Sequence, residues 1–257
     1  MQTKPTFLKT ENLSIGYPNQ VVAKHISLDL KEGQIIALVG SNGIGKSTLL
    51  RTLTQMQPPL EGQIFLQQKN LQSFHVSELA KQVSVVLTTQ LPPSNLSVYE
   101  LIALGRQPYT NWLGSLSEVD KKAIQHAIEM TEVTDLLQKK HYEISDGQLQ
   151  SVLIARALAQ DTPFIVLDEP TTHLDLLHKV SLLKLLKKLS VETKKTLLYS
   201  THDIDLAIQL SDEMIVMLPE QTFQNAPCVL IEQGVFNQLF NNSDIFFDAQ
   251  KGKFIVQ

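Results

Sequence analysis

The sequence predicts an α/β fold built around a mostly parallel sheet. Short apolar runs bounded by turn residues recur along the chain, and stretches with helical periodicity separate them. Unbroken runs of four or five apolar residues are typical of strands buried on both faces, as in a parallel sheet. Alternation of such strands with amphipathic helices favours an α/β core. The predicted strands are 35–39, 83–87, 164–167, 196–199 and 214–218.

The predicted helix over 176–189 has an apolar stripe, with its lysines off the stripe. The stripe is formed by Leu176, Val180, Leu183, Leu186 and Leu189.

Two further segments are predicted to join this core within a single domain. The first 30 residues alternate apolar and polar side chains around a turn at 17–20, which indicates a small antiparallel sheet. A helical insertion is expected over 91–155, where Ser97 with Glu100 and Ser117 with Asp120 have the spacing of capping boxes. The core is then formed by residues 1–90 and 156–257.

Charge, cysteine content and the lengths of apolar runs restrict the classes of protein to which this chain can belong. The 257 residues include 22 Lys and Arg against 26 Asp and Glu, so the net charge of -4 gives no general attraction to nucleic acid or anionic lipid. Cys228 is the single cysteine, which excludes an internal disulfide and fits a reducing compartment. No apolar run approaches the roughly 20 residues of a spanning helix, and the first 17 residues lack a signal-peptide core. We therefore expect a cytoplasmic protein.

A glycine-rich loop follows the first predicted strand and leads into a helix. It matches the pattern G-x-x-x-x-G-K-[ST], in which glycines let backbone N–H groups surround a phosphate while the helix N-terminus adds positive potential. Lys46 would supply charge and Ser47 an oxygen for Mg²⁺. A plain glycine turn before a helix is the competing interpretation. The motif residues are Gly40, Ser41, Asn42, Gly43, Ile44, Gly45, Lys46 and Ser47.

Asp168 and Glu169 end the strand 164–167 with two adjacent carboxylates. One acid can hold Mg²⁺ while the next activates a water for attack on phosphorus. Gln90 and His202 also follow predicted strands, although each could be a structural residue. Because ligands bind beyond the carboxyl ends of parallel strands, these side chains and Gly40 are expected to converge on one phosphate.

Residues 144–148, with the sequence I-S-D-G-Q, complete a motif set that resembles the ATP-hydrolysing subunits of ABC transporters. The other members of the set are the glycine-rich loop, Gln90, the stretch 167–170 and His202. The resemblance spans nearly the whole chain, and the family pattern L-S-G-G-Q is met except for Ile144 and Asp146. It implies a P-loop NTPase core, ATP and Mg²⁺ as cofactors, and a sandwich dimer with a second copy of the chain.

The resemblance also implies individual roles. Glu169 would be the general base, with His202 and Gln90 beside the γ-phosphate, and Tyr17 would stack on the adenine. The residues expected around ATP are Tyr17, Gly40, Ser41, Asn42, Gly43, Ile44, Gly45, Lys46, Ser47 and Thr48. The Mg²⁺ ligands would be Ser47, Gln90 and Asp168, and the contacts to the partner's ATP would be Ser145, Gly147, Gln148 and Asp175.

The signature also has a purely local interpretation, because Ser145 with Gln148 forms a capping box for a helix over 149–159. Both interpretations can hold, since a helix N-terminus is also an anion site. Asp146 would repel a triphosphate, at a cost of about 4 kcal/mol at 4 Å and an effective dielectric near 20. We therefore expect the Asp146 side chain to turn away from the partner's ATP.

The stretch 101–114 resembles the ATPases of iron-siderophore, haem and cobalamin importers, and in that family the insertion faces a transmembrane permease. The resemblance implies import of a metal chelate, a peripheral location on the inner face of the membrane, an indirect partnership with a substrate-binding protein and no nucleic-acid partner. We expect docking around 105–112, including Arg106, Tyr109 and Trp112. The alternative is an ABC ATPase that works without a permease.

Overall fold

A computed structural model describes residues 4–87, 94–239, 245–249 and 251–256. The strands within these residues are β1 Thr6–Tyr17, β2 Gln20–Ile26, β3 Asp29–Lys31, β4 Ile35–Gly40, β5 Glu61–Leu66, β6 Lys69–Asn70, β7 Val83–Val86, β8 Phe164–Leu167, β9 Thr196–Ser200, β10 Glu213–Met217, β11 Thr222–Asn225, β12 Ile245–Asp248 and β13 Lys253–Val256. The helices are α1 Lys46–Leu53, α2 Val76–Leu79, α3 Val98–Ala103, α4 Glu118–Thr131, α5 Asp146–Ala159, α6 Leu176–Thr193, α7 Ile204–Leu210 and α8 Pro227–Glu232.

The larger sheet confirms the parallel core. Its strand order is β11-β10-β4-β9-β8-β7, and every pair except β10 with β11 is parallel. The order of the strands across the sheet differs from their order in sequence, because helical crossovers connect the parallel strands. All five predicted strands are present, each within a residue of its expected bounds.

Both faces of the larger sheet are buried, as the unbroken apolar runs predict. Alternate residues of β4 enter two different cores. Ile35 and Val39 pack in one core with α5 and α6, whereas Ile36 and Leu38 pack in the other with α1 and the N-terminal strands. The sheet is thus the middle layer of the molecule.

The N-terminal strands form the predicted antiparallel sheet. Its order is β2-β1-β5-β6, with β3 also paired to β1. Sequence reasoning missed β5 and β6, which are short and bury few side chains; in β5 only Ile64 and Leu66 are buried.

The insertion is helical where it is described. Ser97 and Ser117 cap α3 and α4, and both predicted capping boxes are present. No helix in the described part of the chain is long and apolar enough to cross a membrane.

Two expectations about helices are wrong, one about a buried face and one about a first residue. Leu176 does not belong to the buried stripe of α6: its exposed fraction is 67%, because the first turn of α6 projects beyond the core and burial begins at Leu182. The helix after the signature begins at Asp146 rather than at residue 149, so the capping residue Ser145 directly precedes it.

Arg106 is not an exposed docking residue. It is buried in the helical insertion, where its Nε donates to Asp120 Oδ1 at 2.8 Å and its Nη1 to Ala159 O at 2.8 Å. Its guanidinium carbon lies 3.9 Å from the centre of the Tyr109 ring. The Ser117 hydroxyl and the Arg106 guanidinium together hold the pKa of Asp120 below its usual value, against the effect of burial.

Candidate functional site

The glycine-rich loop lies between the end of β4 and the start of α1, as predicted. Gly43 and Gly45 have φ values of 76° and 111°, in the region that favours glycine. A Cβ on Gly45 would lie 2.4 Å from Val22 Cγ1, so this position also needs glycine for space. No side chain caps α1. Its first N–H groups therefore point into the loop without a side-chain acceptor.

Lys46 is buried at the start of α1. Its Nζ donates to Gly40 O at 3.0 Å and to Ser41 O at 3.2 Å, so the lysine closes the loop on itself. Burial lowers the pKa of Lys46, and the nearby carboxylates of Glu169 and Asp168 oppose that shift. Lys46 follows β4 and the two acids follow β8, on either side of β9, so the predicted convergence at one edge of the larger sheet is present.

The acids occupy the end of β8, beside the end of β9. Asp168 is buried, and its Oδ1 accepts a hydrogen bond from Ser200 Oγ at 2.7 Å. Glu169 has a φ of 47°, which is unusual for a residue with a side chain. This backbone conformation changes the direction of the Glu169 side chain at the end of β8. Its Oε1 lies 2.6 Å from His202 Nε2, and its Oε2 accepts from Thr172 Oγ1 at 3.2 Å.

Ser200 is the residue of this edge that sequence reasoning missed. It contacts both acids, because the amide N of Glu169 also lies 2.7 Å from Ser200 Oγ. The serine precedes His202 by two residues, but a serine at a strand end has no distinctive pattern, and its partners lie about thirty residues earlier.

The donor set fits a magnesium ion bound together with phosphate. Asp168 offers a carboxylate and Ser47 a hydroxyl, and hard oxygen ligands are those that Mg²⁺ prefers. Among the described residues no group of three or more His, Cys, Asp or Glu could hold a metal alone. Mg²⁺ typically keeps waters and takes phosphate oxygens besides one or two carboxylates. Gln90, the third expected ligand, lies outside the described residues.

Tyr17 ends β1 at the turn of the N-terminal hairpin, with 47% of its surface exposed. The partner strand β2 carries Val22, which lies against Gly45 of the loop. The hairpin therefore packs against the glycine-rich loop, with Tyr17 partly exposed at its end.

The turn 145–148 is largely exposed, and Ser145 and Gln148 within it hydrogen-bond to each other. Gln148 N donates to Ser145 Oγ at 3.3 Å, and Ser145 N donates to Gln148 Oε1 at 3.0 Å, which confirms the capping box. Asp146 is exposed in the first turn of α5. Among the described residues no hydrogen bond joins this turn to the glycine-rich loop.

Asp175 caps α6 next to the same turn. It accepts from His178 N at 2.9 Å, and its Oδ2 lies 2.8 Å from His178 Nδ1. A Cβ on Gly147 would lie 3.2 Å from His178 Cδ2, so the histidine ring packs on the glycine. Asp175 and Gly147, both expected at a partner's ATP, are thus neighbours in one subunit.

A groove lies on the helical insertion, away from the sheet edge. Its volume is about 660 Å³, and Tyr99, Leu104, Gln107 and Trp112 are among its lining residues. The Trp112 side chain is 92% exposed, and the adjacent Leu113 is exposed as well. Trp112 and Leu113 thus place two large apolar side chains side by side at the surface next to this groove.

A glycine-rich loop, a buried lysine and two acids at the carboxyl edge of a parallel sheet define a P-loop nucleotide hydrolase. The ABC transporter family matches residues 23–172 of the chain. The chain belongs to this family, as one of its ATP-hydrolysing, ATP-binding subunits.

Relatives and solved structures agree with that assignment. The iron(3+)-hydroxamate import ATP-binding protein of Bacillus subtilis is 37% identical over 248 residues, which cover 96% of this chain and 92% of that protein. The ferric enterobactin transport ATP-binding protein of Escherichia coli is 32% identical and covers 91% of this chain and 86% of its own length. The dimeric post-hydrolysis state of an ATP-binding cassette bound to ADP and Pi is 27% identical, with a TM-score of 0.73 over 86% of this chain and 98% of that one.

Proposed function

We propose that this chain binds Mg²⁺ and ATP at the carboxyl edge of its sheet, and that hydrolysis by a pair of chains powers import of a metal chelate through a permease. The observation that carries the site is the convergence of Lys46, Asp168, Glu169 and His202, which come from three separate strand ends. Import of an iron complex is supported by the functions of the iron(3+)-hydroxamate and ferric enterobactin relatives.

The loop and α1 hold the triphosphate in this proposal. Backbone N–H groups of the loop and the Lys46 ammonium would bind its oxygens, and Lys46 would exchange its bonds to Gly40 O and Ser41 O for phosphate. Tyr17 would stack on the adenine. The proposed ATP contacts are Tyr17, Gly40, Ser41, Asn42, Gly43, Ile44, Gly45, Lys46, Ser47 and Thr48.

Glu169 acts as the general base. Its carboxylate takes a proton from the water that attacks the γ-phosphorus, and the bond from that phosphorus to the bridging oxygen breaks, giving ADP and phosphate. His202 Nε2, at 2.6 Å, restrains the Glu169 carboxylate and lies close to the developing charge. Asp168, Ser47 and Gln90 would hold Mg²⁺, which neutralises charge on the phosphate oxygens.

The exposed turn 145–148 would close over the ATP of a second copy. Ser145, Gly147 and Gln148 are at a helix N-terminus, where N–H groups and the helix dipole favour an anion. Asp175 lies beside them through His178. A dimeric arrangement is supported by the similar cassette whose structure with ADP and Pi is dimeric.

The groove lined by Leu104 and Trp112 would face the permease, on the helical insertion over 91–155. The protein would then lie on the inner face of the membrane, and a substrate-binding protein would deliver the chelate to the same permease.

Lys46→Ala tests the nucleotide site. Each charge-assisted bond to phosphate contributes roughly 1.5–3 kcal/mol, so ATP affinity should fall about ten- to a hundredfold or more. Titration with a fluorescent ATP analogue measures this. Lys69→Ala, which removes an exposed lysine of β6, is the matched control and should bind normally. Unchanged ATP affinity in Lys46→Ala would remove Lys46 from the site.

Docking is tested by Leu104→Ser combined with Trp112→Ser, a pair that spares the buried Arg106. The chain is co-expressed with a candidate permease of the metal-chelate import class, and its recovery in washed membranes is measured. Recovery should fall while ATP binding persists. Val76→Ser, at another highly exposed apolar residue, should change neither. Full recovery of the double variant would move the docking surface elsewhere, and absence of any membrane recovery for the wild type would favour an ATPase that works without a permease.

A further inference from the structure

The Ser200 side chain is completely buried at the end of β9, with none of its surface exposed. Its Oγ lies 2.7 Å from Asp168 Oδ1 and 2.7 Å from the amide N of Glu169. A backbone N–H can only donate, so Ser200 Oγ accepts that bond and its single hydrogen goes to the Asp168 carboxylate. One hydroxyl is therefore bonded to both acids at once.

The bond to Oδ1 fixes the rotation of the Asp168 carboxylate. The backbone at Asp168 is also fixed, because its N–H donates to Val86 O at 2.8 Å in the neighbouring strand. With the backbone and one oxygen held, the direction of Oδ2 is set by the fold before any ligand arrives. Partners of this kind orient metal ligands and strengthen their binding.

The bond from the Glu169 amide restrains a backbone conformation that side-chain-bearing residues rarely adopt. A φ of 47° persists only where surrounding groups hold it. Ser200 holds the amide side of Glu169, and Thr172 N holds its carbonyl at 3.2 Å. These restraints aim the side chain towards His202 Nε2.

We propose that Ser200 is a positioning residue for ATP hydrolysis, which aims Asp168 at the magnesium ion and Glu169 at the attacking water. The inference rests on the function proposed above and adds a residue to it. Loss of the hydroxyl leaves the Asp168 carboxylate free to rotate and the partly buried Glu169 amide without its acceptor, while Lys46 and the glycine-rich loop are untouched.

Ser200→Ala is the test. Binding of a fluorescent ATP analogue is measured in Mg²⁺ and in EDTA, and turnover is followed as a function of Mg²⁺ concentration. We expect affinity in EDTA to equal that of the wild type, the gain in affinity from Mg²⁺ to be largely lost, and turnover to fall about ten- to a hundredfold. More Mg²⁺ should be needed for half-maximal turnover.

Ser84→Ala is the matched control. Ser84 is a buried serine of β7 whose Oγ lies 3.0 Å from Thr162 Oγ1, at the amino end of the same sheet. It should lower the melting temperature by an amount similar to Ser200→Ala without changing the effect of Mg²⁺. Should Ser200→Ala fail to fold, Ser200→Cys fills the site with a somewhat larger group that is a weaker donor, and it should show the same loss in smaller degree.

A folded Ser200 variant with wild-type turnover and a wild-type response to Mg²⁺ would overturn the inference. Lys46→Ala separates this outcome from failure of the proposed function. If Lys46→Ala abolishes ATP binding and Ser200→Ala has no effect, only the role of Ser200 is refuted; if both bind ATP normally, the site itself is wrong.

Discussion

The acid pair at the sheet edge and the exposed turn at 145–148 provide the two halves of the proposed chemistry. The two parts differ in which residues hold them in place. Asp168 and Glu169 are held by Ser200 and His202, which lie about thirty residues later in the chain, and Glu169 is also held by the nearby Thr172. The turn is held by the local capping box between Ser145 and Gln148 and by the His178 ring against Gly147, and both capping residues are exposed.

The difference indicates where each half is completed. Buried polar groups must find partners within the fold, so the geometry of the acid pair is specified by this chain. Exposed N–H groups at a helix N-terminus are hydrogen-bonded to water until a ligand binds, so leaving them without a protein partner costs little free energy. In the proposed mechanism the hydrolytic half is therefore preorganised in one subunit, whereas the turn would gain its function from a second one.

Glu169→Gln should produce the largest effect and test the preorganised half. A positioned general base contributes about 10² to 10⁴ in rate, so turnover should fall by that factor while ATP still binds. The retained ATP should hold two subunits together, giving a dimer in size-exclusion chromatography with ATP and Mg²⁺. Glu192→Gln, at an exposed position of α6, is the control. Turnover within a few-fold of wild type would refute the base assignment.

Arg106→Ala tests how firmly the helical region itself is held. Removal of one partner of a buried ion pair costs about 3–5 kcal/mol, because Asp120 remains buried without its counter-ion. Urea unfolding should show this loss. Arg106→Met combined with Asp120→Leu should recover much of it, since the unpaired charge is gone. A loss below about 1 kcal/mol in the single variant would mean that the pair is not a structural anchor.

His202→Ala should reduce turnover by about 10² to 10³, the usual effect of removing one group beside developing charge. ATP affinity should change little and ADP affinity not at all. The exposed His126 on α4 provides a matched alanine control. Equal losses of ADP and ATP affinity would instead assign His202 a structural role.

Asp146→Gly should have the smallest effect and sharpen the exposed half. If the carboxylate turns away from the partner's ATP, the substitution leaves ATP-driven dimerisation nearly unchanged and destabilises the start of α5 by roughly 0.3–1 kcal/mol. Asp146→Asn removes the charge without glycine's flexibility and separates the two contributions. Dimerisation at least tenfold stronger in both variants would show that Asp146 faces the nucleotide.

Features whose signal is contiguous in sequence were predictable. The glycine-rich loop, the acids after β8 and the three capping boxes depend on residues within eight positions of one another, and the structure has each of them where expected. The parallel strands were predictable because burial on both faces leaves an unbroken apolar run.

Features that depend on distant partners were not predictable. The sequence around Arg106 predicts a docking residue, since nothing near it in sequence marks Asp120 or the carbonyl of Ala159 as its partners. Ser200 has no sequence signal for the same reason. Leu176 fits the helical stripe by spacing, but spacing cannot tell where the supporting core ends.

The two ends of α5 differ in freedom. At its C-terminus Arg106 binds Ala159 O, and the side-chain amide of Gln160, just beyond the helix, donates to Ala80 O and to Val83 O, the latter in the first residue of β7. Gly105 is in close contact there, since a Cβ on it would lie 2.2 Å from Arg156 O. The C-terminal end of α5 is thus fixed by contacts with neighbouring segments. The 14 residues of the helix span about 21 Å, so a tilt of roughly 10° about this end would move Ser145 by about 4 Å, more than the length of a hydrogen bond.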